Sequence, residues 1–351
     1  MNESDRPLPP ELPPDDLQLL DRAADAYGQL KAEIAKTIVG QDDIVTALLA
    51  SIFAEGHALL IGVPGLAKTL LVKTLAETLG WDFNRIQFTP DMMPADIIGM
   101  ELLQEGDDGQ RRMQFVPGPL FANIILADEI NRTPPKTQSA LLEAMQERQV
   151  TSMGTRHVLA PPFVVVATQN PIEQEGTYPL PEAQLDRFML SLHLDYPDVE
   201  EEEQIVLETT APAPGSQGNH STAERSVVID KETFMAMQAL VRRMPVGRHV
   251  VSYAVALARA TRPKSAAASA VAQEYVEWGA GPRAGQHMVL LGKALALMHG
   301  EPAVTTEHIR RAAPHVLRHR LLPNFQAAGE GVTAGDIVDR VLEEIAEPSY
   351  V

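Results

Sequence analysis

The segment Gly62-Val63-Pro64-Gly65-Leu66-Ala67-Lys68-Thr69 limits what this chain can fold into more than any other stretch, because of what flanks it. Ala58 to Ile61 (Ala-Leu-Leu-Ile) is a short apolar run of the kind buried in a parallel sheet. From Leu70 onward the apolar residues recur with helical spacing. A strand, a glycine-bearing turn and a helix N-terminus together make a phosphate cradle. Backbone N–H groups and the positive helix end face the anion, Lys68 reaches the outer phosphates and Thr69 the magnesium ion. Residues 62–70 are therefore expected to bind nucleotide, with Thr69 as one metal ligand. The usual pattern has glycine just before the lysine. Ala67 stands there instead, the smallest residue with a Cβ, so close phosphate approach is expected to be strained but tolerated.

About sixty residues beyond Lys68, Ile124-Ile125-Leu126-Ala127-Asp128-Glu129 is a second buried strand, ending in two adjacent carboxylates. Acids at the carboxyl end of a parallel strand lie in the crevice where doubly wound sheets bind ligands. There Asp128 can hold Mg²⁺ through water, and Glu129 can serve as general base toward the attacking water. A third strand, Phe163 to Thr168, ends in Gln169-Asn170, and the Asn170 amide can orient the same water. An acidic strand end by itself has a plain alternative, a solvated turn. Beside a phosphate loop, the pair implies a nucleotide hydrolase.

At 351 residues the chain is long enough for two domains. Strands alternate with helices from Ala58 to Asp195 (58–61, 82–87, 124–126, 163–168 and 189–193), which implies an α/β domain with a parallel sheet over 17–197. Helices at about 16–36 and 42–55 precede its first strand. After Asp198 the pattern is helical to the end: Glu200 to Glu203 open one helix, and others are expected at 231–243, 250–262, 267–278, 283–299, 306–320 and near 336–345. Residues 211–222, rich in Pro, Gly and Ser, are expected to be a flexible break. The first 16 residues are Pro- and acid-rich, unlike a signal peptide, and are expected to be a disordered tail. No apolar run nears the roughly 20 residues of a membrane span, and the expected location is the cytoplasm. Without cysteine there are neither disulfides nor thiolate metal sites. A net charge of −18 argues against a nucleic-acid binder.

The phosphate loop, the acidic strand, Asn170 and then Leu185-Asp186-Arg187-Phe188 occur in the order of an AAA+ ATPase. Four stretches resemble the MoxR branch in particular: Phe88 to Gly99, Phe115-Val116-Pro117-Gly118-Pro119-Leu120-Phe121, Asp128 to Lys136, and Pro181 to Phe188. Ala67 is typical of that branch too. The resemblance spans about residues 20–345, and in the helical part it rests mainly on Gly281-Pro282-Arg283-Ala284. It implies a P-loop NTPase core followed by an all-α lid, and ATP with Mg²⁺ as cofactors. Arg187 matches the arginine finger that points into the neighbouring subunit's nucleotide, the alternative being a helix-capping pair with Glu182 or Asp186. Arg283 matches the second sensor, which reports γ-phosphate. Val39 and Gly40 resemble the segment lining the adenine pocket. Arg132 either faces the subunit boundary or is a plain surface arginine.

The resemblance also implies a homo-oligomer, commonly a hexamer. It implies a protein client remodelled in chaperone-like fashion, as in metalloenzyme maturation, and a partner with a von Willebrand factor A domain. A metal-chelatase-type motor subunit is the alternative, and a nucleic-acid motor a more distant one. Two insertions mark the clade: residues 91–121, with a hairpin tip near 106–110, and a hairpin at 149–160 turning near Met153-Gly154. His308, His315 and His319, with Arg310, Arg311, Arg318 and Arg320, are expected to form a solvated basic helix face.

Overall fold

The computed structural model describes residues 12–105, 111–173, 176–210 and 227–348. The tail before Leu12, the hairpin tip at 106–110 and the break at 211–222 lie outside the described residues. Helices α1 (Pro14–Ala35) and α2 (Asp42–Phe53) precede β1 (Ala58–Ile61) and α3 (Lys68–Leu79). Next come β2 (Phe83–Gln87), α4 (Pro94–Ile98), the hairpin β3 (Gly99–Glu105) and β4 (Arg111–Pro117), then β5 (Ile124–Asp128) and α5 (Pro135–Glu147). The hairpin β6 (Gln149–Ser152) and β7 (Thr155–Val158) leads to β8 (Val164–Gln169), α6 (Glu182–Leu185) and β9 (Leu190–His193). Helix α1 starts two residues before the expected end of the tail. Pro14 suits a first helical position, Asp15 and Asp16 complement the helix dipole, and Asp16 accepts two hydrogen bonds from Arg243 at 2.7 and 3.0 Å.

Five strands pair in the order β2-β5-β8-β1-β9, every pair parallel. Their residues alternate between two buried faces. Ala58, Leu60, Ile124, Leu126, Val164 and Val166 join one core, while Leu59, Ile125, Ala127, Val165 and Ala167 join the other. Apolar side chains on both faces explain why these strands read as continuous apolar runs. One face is covered by α1, α2 and α3, the other by α4, α5 and the β6–β7 hairpin. The β6–β7 turn has positive φ at both Met153 (48°) and Gly154 (84°), the geometry that matches strand twist in a two-residue hairpin.

The chain continues as α7 (Val199–Thr210), α8 (Lys231–Arg243), α9 (Arg248–Ala260), α10 (Ala270–Tyr275) and β10 (Val276–Trp278). It ends with α11 (Pro282–Met298), α12 (Thr306–Leu317), β11 (Leu322–Pro323), α13 (Phe325–Glu330) and α14 (Ala334–Glu344). This helical part shares the first core rather than enclosing its own. Phe234 of α8 stacks on Phe53 at 4.5 Å and meets Trp81 edge-on at 4.9 Å.

Two expectations fail here. The helix foreseen over 267–278 stops at Tyr275, and Val276 to Trp278 pair instead with β11. The segment that follows is held against the end of α9: Thr261 Oγ1 accepts from Ala280 N, and Arg262 Nε donates to Ala280 O. A Cβ on Gly279 would lie 2.2 Å from the Thr261 carbonyl oxygen. The solvated basic face also fails, because His308 and Arg320 are 4% and 8% exposed. Among the described residues, no helix is long and apolar enough to cross a membrane.

His57, just before β1, is buried, with Nε2 donating to Met145 O (3.1 Å) and Nδ1 accepting from Val165 N (3.0 Å). Burial pushes its pKa from 6.5 down to about 4. Its contribution to stability is present above pH 6.5 and lost as the pH falls through about 4, since the unfolded chain binds the proton first. Denaturant titrations from pH 7 to 4 should show stability falling across this window. His57→Gln, neutral throughout, should fall less steeply, and an unchanged slope would assign the acid sensitivity to other groups.

Candidate nucleotide-binding site

The phosphate loop leaves β1 and enters α3. Gly65 has φ +93° with open space where a Cβ would be, and Ala67 is held at φ 52°, in the left-handed region. That conformation costs alanine roughly 1–2 kcal/mol. Gly62 lets the chain beyond β9 cross the loop, since a Cβ there would stand 3.0 Å from the Leu194 carbonyl oxygen. Lys68 Nζ donates to the Gly62 carbonyl and, at 3.0 Å, to that of Val63. Burial lowers its pKa, opposed by the negative charges of Asp128 and Glu129. Leu66 is buried, Val63 and Thr69 half-buried, and Pro64 and Leu70 exposed.

The order β5-β8-β1 brings the ends of three adjacent strands together. Asp128 is 7% exposed; its Oδ1 accepts from Thr168 Oγ1 at 2.6 Å, and its Oδ2 accepts from Arg85 Nε at 3.0 Å and Nη2 at 2.7 Å. Glu129 sits at φ 58°, and its backbone N donates to Thr168 Oγ1. Its Oε2 accepts from Gln87 Nε2 (2.8 Å) and from Arg132 Nη1 (2.7 Å). Arg132, left open between two placements, is thus paired with the acid of its own chain. Buried Asn170 accepts a hydrogen bond from Ile172 N through Oδ1. Sequence reasoning missed Arg85, Gln87 and Thr168. Arg85 and Gln87 are two apart on β2 and so share a face, but that the face meets these acids follows from the register Gln87↔Asp128.

Arg187 and Arg283 lie elsewhere. Met189 N donates to His57 O, level with the start of β1. Along an extended strand this is roughly 16 Å from Gly62, at about 3.3 Å per residue. Arg187 makes no side-chain hydrogen bond or ion pair among the described residues. Its alternative partner Asp186 is occupied, with Oδ2 accepting from Arg283 Nη1 (3.0 Å) and Oδ1 from Arg320 Nε (2.8 Å). Arg320 also donates to the carbonyls of Asp186 and Phe188 at 3.1 and 2.7 Å, and to His287 Nδ1 at 2.7 Å. Burial holds Arg320 down at about 10 and His287 down at about 3, so that the imidazole stays a neutral acceptor. Arg283, which matches the second sensor, is thus paired next to Arg187 at the amino ends of the strands.

Val39 and Gly40 are half-buried in the turn between α1 and α2, Gly40 at φ +66°. A Cβ on Gly40 would stand 2.4 Å from the Glu201 carboxyl group, so α7 closes over this turn. The residues suit ATP and Mg²⁺. Gly65 leaves room for close phosphate approach, and the Thr69 hydroxyl with the Asp128 carboxylate offers the hard oxygen donors that Mg²⁺ prefers.

The family model described as "ATPase family associated with various cellular activities (AAA)" matches residues 57–190, and that of the AAA lid domain matches 268–341. The chain is 40% identical to the chaperone MoxR1 of Mycobacterium tuberculosis over 90% of its own length and 81% of that protein. It is 39% identical to YeaC of Bacillus subtilis (92% and 94%) and 31% to MoxR of Methylorubrum extorquens (96% and 99%). A crystal structure of a candidate ATPase from Cytophaga hutchinsonii superimposes with a TM-score of 0.83 at 37% identity, covering 95% of this chain and 98% of that one. With the phosphate loop, the acidic strand and the lid all present, the chain belongs to the MoxR family of AAA+ ATPases.

Proposed function

We propose that this chain hydrolyses ATP with Mg²⁺ in an oligomeric, commonly hexameric ring, and uses the energy to remodel a client protein, coupled through a partner with a von Willebrand factor A domain. One observation carries the reading. Lys68, the Asp128–Glu129 pair and Asn170 converge at the ends of three adjacent strands, close enough that the charges of both acids oppose the lowering of the Lys68 pKa by burial. The chaperone name of the Mycobacterium tuberculosis relative supports the remodelling role.

On this reading Lys68 exchanges the loop carbonyls for the outer phosphates. Bound Mg²⁺, held by Thr69 and Asp128, would neutralise phosphate charge. Glu129 leaves Arg132 and takes the proton of the attacking water, which Asn170 orients. Val39 and Gly40 flank the base. Arg187 and Arg283 stand together far from their own phosphate loop, which favours a role for both at the neighbouring subunit's nucleotide, where cations neutralise charge on the transferred phosphoryl group.

Two experiments test this. Glu129→Gln should bind ATP normally in a filter or fluorescence assay while phosphate release drops roughly 10²–10⁴-fold, the share of a positioned base. Lys68→Ala should lose nucleotide binding itself. Near-parental turnover in Glu129→Gln would show that another group activates the water.

Mixing inactive Arg187→Ala or Arg283→Ala subunits with inactive Glu129→Gln subunits creates sites holding both an intact base and an intact arginine. ATPase should reappear in either mixture, because an arginine supplied in trans is worth on the order of 10³ or more in rate. Mixed oligomers, verified by mass, that stay inactive would assign that arginine to its own subunit.

A further inference from the structure

Asp128 is the acid on which the metal site turns, and both of its oxygens are already engaged. Thr168 holds Oδ1. At Oδ2 stands a full positive charge, with the Arg85 guanidinium donating through Nε at 3.0 Å and Nη2 at 2.7 Å. Arg85 does not belong to the phosphate loop or to either acidic strand end. It projects from β2, the edge strand, and keeps 47% of its side-chain surface exposed, while that of Asp128 is 10% exposed. A second hydrogen bond joins Arg85 Nη2 to Gln87 Oε1 at 2.5 Å, which fixes the orientation of the guanidinium.

We propose that Arg85 is the internal counter-cation of Asp128 and competes with Mg²⁺ for it. The inference rests on the reading of Asp128 as the metal-facing acid. A largely buried carboxylate needs a cation or hydrogen-bond donors when no metal is present, and a charge-assisted pair supplies both. A metal-bound water reaching Oδ2 needs the same lone pairs and the same negative charge. The two cations are therefore alternatives, and the metal must displace the arginine. Because Arg85 is half in water, release costs it little, so the device tunes metal affinity rather than blocking it. Nucleotide bound without metal leaves Arg85 in place; nucleotide bound with metal expels it.

The test uses the full chain and a fluorescent ADP analogue, so that hydrolysis plays no part. Analogue affinity is measured in EDTA and then as a function of Mg²⁺, giving the half-saturating metal concentration. Arg85→Ala and Arg85→Gln should each lower that concentration about threefold to tenfold, the range for a partly exposed charge pair. Their affinity for the analogue in EDTA should be unchanged, and Arg85→Lys, which keeps the charge, should stay near the parent. Asp128→Asn should raise the metal requirement. If Asp128→Asn leaves the metal dependence unchanged, Asp128 does not face the metal and the site reading falls along with the proposal. If Asp128→Asn behaves as expected but Arg85→Ala and Arg85→Gln leave the requirement unchanged or raise it, the site stands and the competition is refuted. Weaker analogue binding by these variants in EDTA would mark Arg85 as a phosphate contact, which also overturns the proposal. Thermal melts without ligand verify that each variant is folded.

Discussion

Arg320 is a buried cation, and the join between the helical part and the sheet is organised around neutralising it. A guanidinium removed from water is strongly unfavourable unless every donor is met. Here the donors are met by the Asp186 carboxylate, by main-chain carbonyls of the Asp186–Met189 turn, and by the neutral imidazole of His287. That turn carries Arg187 and feeds β9. The arginine that keeps the lid seated therefore also fixes the backbone on both sides of the residue matching the finger. Arg283 adds a second cation to the same carboxylate. The lid is thus tied to the turn that carries Arg187, and it packs on the first core through Phe53, Trp81 and Phe234.

At the other end of the strands the stabilising logic is reversed. Ala67 and Glu129 both sit in left-handed backbone conformations, which cost non-glycine residues free energy and persist only where surrounding structure dictates them. Lys68 rests on loop carbonyls, Asp128 on Arg85, and Glu129 on Gln87 and Arg132. Each charged group thus has a substitute partner within the chain. These contacts satisfy each charge within the chain, and on the proposed function they are the ones that phosphate, metal and water would replace.

The phosphate loop, the acidic strand end and the alternation of strands with helices were legible in the sequence because each is a local pattern. A strand buried on both faces needs a continuous apolar run, and a phosphate cradle needs glycine at fixed offsets before a lysine. The resemblance to the MoxR branch rested on motifs of this kind. Local pattern misled where a distant contact decided the outcome. Val276 to Trp278 left the helix because the next residues are bound to the end of α9, and Arg320, at the end of the arginine- and histidine-rich stretch, turned inward because Asp186 awaited it.

The sequence by itself therefore determined the chemistry available: a lysine in a glycine-bearing turn, two acids, an amide and arginines in a recognisable order. Only the tertiary structure decided which of these groups share a site. Lys68, Asp128, Glu129 and Asn170 meet because parallel pairing places the carboxyl ends of β1, β5 and β8 side by side, whereas Arg187 and Arg283 stand at the amino ends. It also chose partners no motif foretold, since Arg85 reaches Asp128 only through the β2–β5 register. The physical reason is that charge pairing depends on distance across strands and elements, which a linear pattern does not encode, whereas the alternation of apolar runs and the glycine spacing of a phosphate loop are written along the chain.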